Sequence, residues 1–402
     1  MSAVDYPNLM QILSRPRPSG SAAERETLRA LQAWLEQRGL PSRLQPFTLY
    51  PYFFICIGLW MLSAYTLLIV SIWLGWGWVT GLIAVPAILG GLLDTALDIP
   101  LVTWPGKTTG QNLLMEFSAP QPKRELVISA HYDSKTELFD HHVRTFFVKN
   151  LRFGIALAIL PGILAPLERY LSIQWADAIH FLSILLTFPL LFLVWGLGLN
   201  LSMGRLRGEH SQGAVDNGAA CAILLGLAQH IAEGGIRLKN TKLTLALFGG
   251  EEVNMQGSRA YVQNRNWPLP AAALNLEIMA QDGAYVTWEQ DGTSLKLFPA
   301  DAALNQAIAQ AVIKVTGESP LPAGPINSDG YSFIRAGIPA TTLGTYDKRL
   351  QSRGFHLPGD NLSRVQTARL GEAVKILSRF IEVFDEKNAG FIQYRAKAIA
   401  RG

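Results

Sequence analysis

The chain has 402 residues, of which 49% are hydrophobic and only 16% charged, where a soluble domain carries about a quarter charged residues. That deficit argues against an ordinary cytosolic enzyme, and aromatic residues at 10% spread along the chain exclude disorder. The net charge of +4 comes without a Lys/Arg cluster interleaved with aromatics, so no nucleic-acid partner is expected.

No basic stretch followed by a short apolar run opens the chain, so no cleavable signal peptide is expected. Ser21 to Gly39 reads as a helix, with Leu28, Leu31 and Leu35 on one face and a terminal glycine. From Leu44 to Leu93 there is no charged residue, and two membrane spans fit, Tyr52 to Leu74 and Trp78 to about Leu97. Each is close to the roughly 20 residues that cross a hydrocarbon core. The linker Gly75-Trp76-Gly77 makes them a tight hairpin, with Trp73, Trp76 and Trp78 suited to the membrane interface. Gly110 to Phe117 and Glu125 to Ala130 then read as strands.

A second apolar pair follows, Phe153 to Leu167 and Ala178 to Gly204. Its first member reaches a full span when residues 146–151 join it and Lys149 and Arg152 extend their charges toward the interface. Beyond lie a helix at Gly218 to Ala232, a strand at Lys242 to Phe248 and a short helix after Met255. A strand at Ala272 to Met279, a helix at Ala300 to Thr316, a strand near Pro339 to Leu343 and a helix at Ser363 to Phe384 complete the pattern. Strands alternating with helices predict an α/β fold whose sheet, parallel or mixed, is covered on both faces.

The hairpins are thus insertions into one domain. Residues 1–50, 99–142 and 205–386 build it, 51–98 and 143–204 are the transmembrane hairpins, and 387–402 is a basic tail carrying Lys387, Arg395, Lys397 and Arg401. Basic residues crowd the hairpin bases (Arg15, Arg17, Arg25, Arg29, Arg38, Arg43, then Lys135, Arg144, Lys149, Arg152, Arg205, Arg207), against Arg169 alone at the tips. The positive-inside rule places the α/β domain on the cytoplasmic side of a multi-pass protein with about four spans in the lipid bilayer. Removing about 100 hairpin residues leaves a remainder of ordinary charge content. Cys56 and Cys221 are too few for a disulfide framework and read as small hydrophobes.

Five segments gather the chemistry, and each follows a strand-like or apolar run. In His131-Tyr132-Asp133, a His and an Asp two apart at a strand end point the same way, so one can bind a metal while the other orients a ligand. Asp216 precedes a helix start of small residues. Glu251 and Glu252 follow a buried strand and two glycines, and adjacent carboxylates there need a cation to share. One can ligate a metal while its neighbour takes a proton from a water that the metal activates. Glu277 sits in an apolar strand, where an unpartnered carboxylate would cost several kcal/mol. His356 lies in a turn-rich loop and offers a second imidazole. His131, Asp216, Glu252, Glu277 and His356 make a mixed nitrogen and oxygen set suited to zinc.

In order and wording these motifs resemble the zinc aminopeptidases of the M28 type, among the co-catalytic zinc exopeptidases. Arg17-Pro18-Ser19-Gly20-Ser21 is similar to the family's opening motif, and His-x-Asp, Asp-Asn, Gly-Glu-Glu, Asn-x-acid and His-x-Pro-x-Asp follow in order. The resemblance implies a three-layer mixed β-sheet zinc exopeptidase domain, here with two inserted transmembrane helical hairpins, that acts on peptides with two zinc ions. It implies Asp216 as bridging ligand, His131 and Glu277 on one zinc, Glu252 and His356 on the other, Glu251 as general base and then acid, and Asp133 holding a ligand in place. Glu277 stands where Asp is usual, as in some related carboxypeptidases, and Gly330 where a His follows Ser-Asp. The run His131-Tyr132-Asp133-Ser134-Lys135 also resembles the glutaminyl cyclases, relatives with one zinc, and noncatalytic scaffolds of the same fold form a third alternative.

Overall fold

The computed structural model describes residues 4–96, 106–206, 208, 210–293, 296–347 and 353–386. The expected basic tail, residues 97–98 of the first hairpin and Arg207 lie outside the described residues. Two units emerge. One draws on the chain up to Pro51, on Lys107–Lys135 and on the chain from His210, the other on Tyr52–Gly106 and Thr136–Glu209.

The first unit is built on a mixed sheet of nine strands: β1 Arg43–Leu49, β2 Thr108–Ser118, β3 Arg124–His131, β4 Thr241–Phe248, β5 Ala271–Glu277, β6 Ala284–Thr293, β7 Lys296–Pro299, β8 Leu321–Ile326 and β9 Ala340–Tyr346. Their order is β1-β2-β4-β3-β5-β9-β6-β7, with β8 beside β6. The central four, β4-β3-β5-β9, run parallel, whereas β1, β2 and β6 join antiparallel. Every residue of β3 is buried, as a parallel strand covered on both faces requires. Leu126, Ile128 and Ala130 meet a core shared with the helices Tyr6–Leu13, Ala22–Glu36, Ala219–Ala232, Ala302–Thr316 and Thr367–Glu386. Val127, Ala246 and Phe248 face the other way, onto Tyr261 and Phe333 of the helices Gln256–Gln263 and Gly330–Arg335. The result is a three-layer mixed α/β sheet.

Ser21 caps the second helix by accepting the Glu24 N–H at 3.0 Å, and the Glu24 carboxylate accepts the Gly20 N–H at 2.6 Å, a reciprocal arrangement that fixes the helix start. The last helix begins at Thr367 rather than Ser363, because Leu362–Arg364 forms a tighter 3-10 turn. The strands β6, β7 and β8 have no counterpart in the sequence reading. Leu-Pro-Ala-Gly-Pro-Ile of β8 carries two prolines, tolerated only because this strand pairs on one side, with β6.

The second unit consists of the helices Phe53–Trp73, Trp78–Ala96, His141–Leu167 and Ile173–Leu190, the last continuing through a π turn at Leu191–Trp195 into Gly196–Leu206. Asp140 caps the third of these, its carboxylate accepting the His142 N–H at 3.0 Å, and residues 146–151 belong to that helix, although the stretch apolar enough to span is Phe153–Tyr170. Gly58 lets two helices approach closely: a Cβ there would lie 2.6 Å from the Gly198 carbonyl oxygen.

Four helices among the described residues are long and apolar enough to cross a membrane: Phe53–Trp73, Phe153–Tyr170, Ile173–Arg205 and Ala214–Ala232. The last has 94% of its apolar window buried and forms the core of the sheet unit, so its hydropathy is that of a central helix. Trp78–Ala96 is helical as expected, but the apolar stretch described there, Trp78–Leu89, is shorter than a span.

Candidate metal centre

The parallel strands deliver the polar residues to one edge. His131 ends β3, Glu277 ends β5, and Gly249-Gly250 turns the chain after β4 so that Glu251 and Glu252 follow. Gly250 takes a left-handed φ of 69°, which favours glycine at that turn. Asp216 lies just before the helix Ala219–Ala232, and His356 in the loop after β9. In open α/β sheets, ligand sites form at these carboxyl ends of the strands.

The five predicted ligands and the predicted base come together here. One oxygen of Asp216 is 3.2 Å from His131 Nε2 and its other oxygen is 3.2 Å from His356 Nε2. His131 Nε2 also lies 3.1 Å from Glu277 Oε1 and 3.9 Å from Glu251 Oε2. His356 Nε2 lies 3.0 Å from Glu252 Oε1, a buried oxygen that accepts no hydrogen bond. Two half-sites therefore share Asp216, each completed by one imidazole and one further carboxylate. His131, Asp216 and Glu252 offer ligand atoms within 4.8 Å of one another, a group able to hold a metal ion that straddles both halves. Four carboxylates, those of Asp216, Glu251, Glu252 and Glu277, converge on two imidazoles, an excess of negative charge and of oxygen and nitrogen donors that a divalent cation fits.

Electrostatics express the same crowding. Burial raises the Glu251 carboxyl well above its ordinary range, and Glu252, Glu277 and Asp329 push the same way against His131. Glu277 is pushed up to about 7, chiefly by burial. Burial alone would raise Asp216 too, but its hydrogen bonds to His131 and His356 hold it well below the carboxylate range. His131 is lifted well above its usual value because Glu277, Glu251, Asp133 and Asp216 outweigh its burial.

Supporting residues hold this geometry. Asp133 Oδ1 accepts the Glu251 N–H at 3.2 Å, and Oδ2 accepts the Glu252 N–H at 3.1 Å and the Ser19 hydroxyl at 2.6 Å. Asp133 thus positions the loop of the two glutamates more directly than the His131 ring, whose Nδ1 is 3.5 Å from Oδ1. Asn275 and Asn217 both donate to Glu277 Oε2, at 3.2 and 3.3 Å, leaving Oε1 toward His131. Asp360 accepts the Val215 and Asp216 N–H groups at 2.8 and 3.3 Å. The fully buried Arg17 donates to the carbonyls of Leu13 and Tyr132, and to those of Arg15, Gln212 and Gly213 at 3.1, 2.7 and 2.8 Å, tying together the segments that carry His131 and Asp216. Cys221 is more than a small hydrophobe: its thiol donates to the His131 carbonyl, with sulfur 3.0 Å from the oxygen.

Sequence reasoning gave Asn275, Asn217 and Asp360 no role beyond their motifs, and it counted Arg17 among the basic residues at a hairpin base, whereas Arg17 is buried and bonded to backbone carbonyls. The signal for Asn275 was its place two residues before Glu277, on the same face of one strand. Replacing Asp133 by Asn sets an amide N–H against one of the two backbone donors. Asp133→Asn is expected to weaken divalent-metal affinity by roughly 10–100-fold, read by competition with a chelator of known affinity.

Gly330, the position where the resembled family carries His, has no room for one: a Cβ would lie 2.8 Å from Asp291 Oδ2 and 2.9 Å from Thr342 Oγ1. Asp291 is buried and accepts from Ser328, at 2.5 Å from the hydroxyl and 3.1 Å from the N–H, and burial pushes its carboxyl up to about 8. Its folded-state value lies above the unfolded one, so the protonated form favours folding and stability falls as pH rises between those values. The loss approaches at most about 1.4 kcal/mol per pH unit. Thermal melts from pH 6 to pH 8 are expected to show this decline, with a shallower slope in Asp291→Asn. An unchanged slope would mean that Asp291 is ionised in the fold.

Residues 200–381 match a family model described as peptidase family M28. No curated protein matches the chain. Among solved structures, it is similar to a glutaminyl cyclase from Fimbriiglobus ruber at 15% identity and a TM-score of 0.54, over 94% of this chain and 92% of that one. An aminopeptidase from Aneurinibacillus sp. strain AM-1 aligns at 14% identity and a TM-score of 0.55, over 94% and 93% of the two chains. A zinc aminopeptidase from Bacillus subtilis aligns at 13% identity and 0.54, over 96% and 97%. The M28 resemblance read from the motifs is therefore borne out, with that family's sequence pattern in residues 200–381 and a fold similar to those of zinc aminopeptidases and glutaminyl cyclases.

Proposed function

We propose that this chain is a membrane-embedded zinc exopeptidase that releases N-terminal residues from peptides. The observation that carries this reading is Asp216, whose two oxygens face two different histidines, each beside a further carboxylate. His131, Glu277 and Asp216 would hold one zinc, and His356, Glu252 and Asp216 the other. Zinc there supplies Lewis acidity, polarising the scissile carbonyl and making water more acidic. Glu251 would take the proton of the attacking water and return it to the leaving amine, from a place beside the cluster where its Oε2 is 3.9 Å from His131 Nε2. Asp133 and the backbone it grips keep Glu251 at that place.

Membrane anchoring is supported by the long apolar helices of the second unit, and the basic residues at the hairpin bases support a cytoplasmic sheet domain. The second hairpin lies in sequence between His131 and Asp216, which favours membrane-associated or amphipathic peptides as substrates. A glutaminyl cyclase-like acyltransferase with one zinc is the second reading, favoured by the cyclase neighbour and by the run from His131 to Lys135. Peptide-library digestion with metal analysis of detergent-purified protein separates them. The peptidase reading expects two zincs per chain and free N-terminal amino acids. One zinc with pyroglutamate products would replace it by the cyclase, and C-terminal release would reverse the polarity.

A further inference from the structure

At the hairpin tips of the helical unit, the turn Gly75-Trp76-Gly77 and the segment Glu168–Tyr170 frame an open-mouthed cavity of about 930 Å³. Trp76, Trp78 and Tyr170 line it and are respectively 48%, 62% and 81% exposed. With Trp73 and Trp175, also exposed, they form an aromatic belt of the kind that settles at the headgroup level of a bilayer. Two opposite charges stand in this wall. Glu168 is largely covered and lines the cavity, with its Oε1 3.6 Å from His180 Nδ1 in a long ion pair. Arg169, the next residue, is exposed and lines the same cavity.

We infer that this cavity binds the headgroup of a zwitterionic phospholipid, with the ammonium against Glu168 and the indole faces and the phosphate on Arg169. An ammonium beside aromatic faces gains a cation–π attraction, and guanidinium is the side chain best shaped for phosphate. The anionic headgroup of phosphatidylglycerol would satisfy Arg169 through its phosphate but has only neutral hydroxyls, with no ammonium, to set against Glu168 and the indole faces. The inference rests on the membrane reading above and deepens it, because only a chain held in a bilayer brings this belt to lipid headgroups.

The test uses the full chain in detergent, with native mass spectrometry to count bound lipid after adding phosphatidylethanolamine or phosphatidylglycerol. Phosphatidylethanolamine is expected to bind about fivefold more tightly than phosphatidylglycerol, the contribution of one ammonium against aromatic faces. Glu168→Gln should lower phosphatidylethanolamine binding while sparing phosphatidylglycerol, and Arg169→Gln should lower both. Equal binding of the two lipids, or phosphatidylethanolamine binding unchanged in both variants, would overturn the assignment. Displacement of the lipid by equimolar inorganic phosphate would also overturn it, in favour of a plain anion site. Reconstituted protein that leaves liposomes in alkaline carbonate refutes the membrane reading itself. Protein that stays embedded without headgroup preference refutes this inference alone.

Discussion

Glu251→Gln protein is expected to fold, to bind zinc with unchanged stoichiometry and to hydrolyse peptides about a thousandfold more slowly or worse. The amide keeps the size and shape of the carboxylate, so the packing of the loop and the Asp133 grip on its backbone survive. What it loses is the ability to take and return a proton. The separation of effects is possible because Glu251 stands back from the closest contacts: Oε2 is 3.9 Å from His131 Nε2, where Glu277 and Asp216 lie at 3.1 and 3.2 Å. Steady-state kinetics, metal analysis and a melting curve on one preparation check all three statements. Wild-type turnover would remove Glu251 from the mechanism, and an inactive variant with full biological function would favour a noncatalytic scaffold.

Replacing Asp216 should have the largest effect on metal content. If its two oxygens serve two ions, Asp216→Ala loses both zinc equivalents after dialysis, whereas His131→Ala and His356→Ala each lose one and leave the other half-site with both its carboxylates. A metal that binds the folded chain at a hundred times its Kd stabilises it by about 2.7 kcal/mol. Asp216→Ala is therefore expected to melt near the temperature of chelator-treated wild type, with chelator having little further effect. Retention of one tightly bound zinc in Asp216→Ala would show that the carboxylate does not bridge, and would move the balance toward the single-zinc reading.

Much of the site was legible because buried parallel strands are written as apolar runs that stop abruptly. Val127 to Ala130 runs into His131, Leu245 to Phe248 into Gly249 and the paired glutamates, and Leu274 and Leu276 flank the approach to Glu277. Polar residues at such ends are visible without a structure. The first hairpin was equally plain, since no charge interrupts Leu44 to Leu93, whereas the second was less so, because Phe153 to Leu167 is too short for a span without the stretch that carries Lys149 and Arg152. By contrast, β6, β7 and β8 alternate weakly and carry Asp, Gly and Pro, because strands at a sheet margin need neither continuous burial nor a full set of N–H donors.

The sequence by itself determined which residue types stand at the strand ends, and with them the class of chemistry, because those choices depend on covalent neighbours and on the burial pattern of single strands. Which carboxylate meets which histidine was decided only by the tertiary structure. In the order β4-β3-β5-β9, β3 lies between β4 and β5, so His131 has Glu277 on one side and the Glu251-Glu252 turn on the other. The returning loop after β9 then supplies His356 to the far oxygen of Asp216. Arg17, Ser19, Asn217 and Asp360 act across long separations in the chain, through hydrogen bonds that exist only once the layers have packed. Sheet order and such bonds follow from the joint burial of many segments, and no local pattern encodes them.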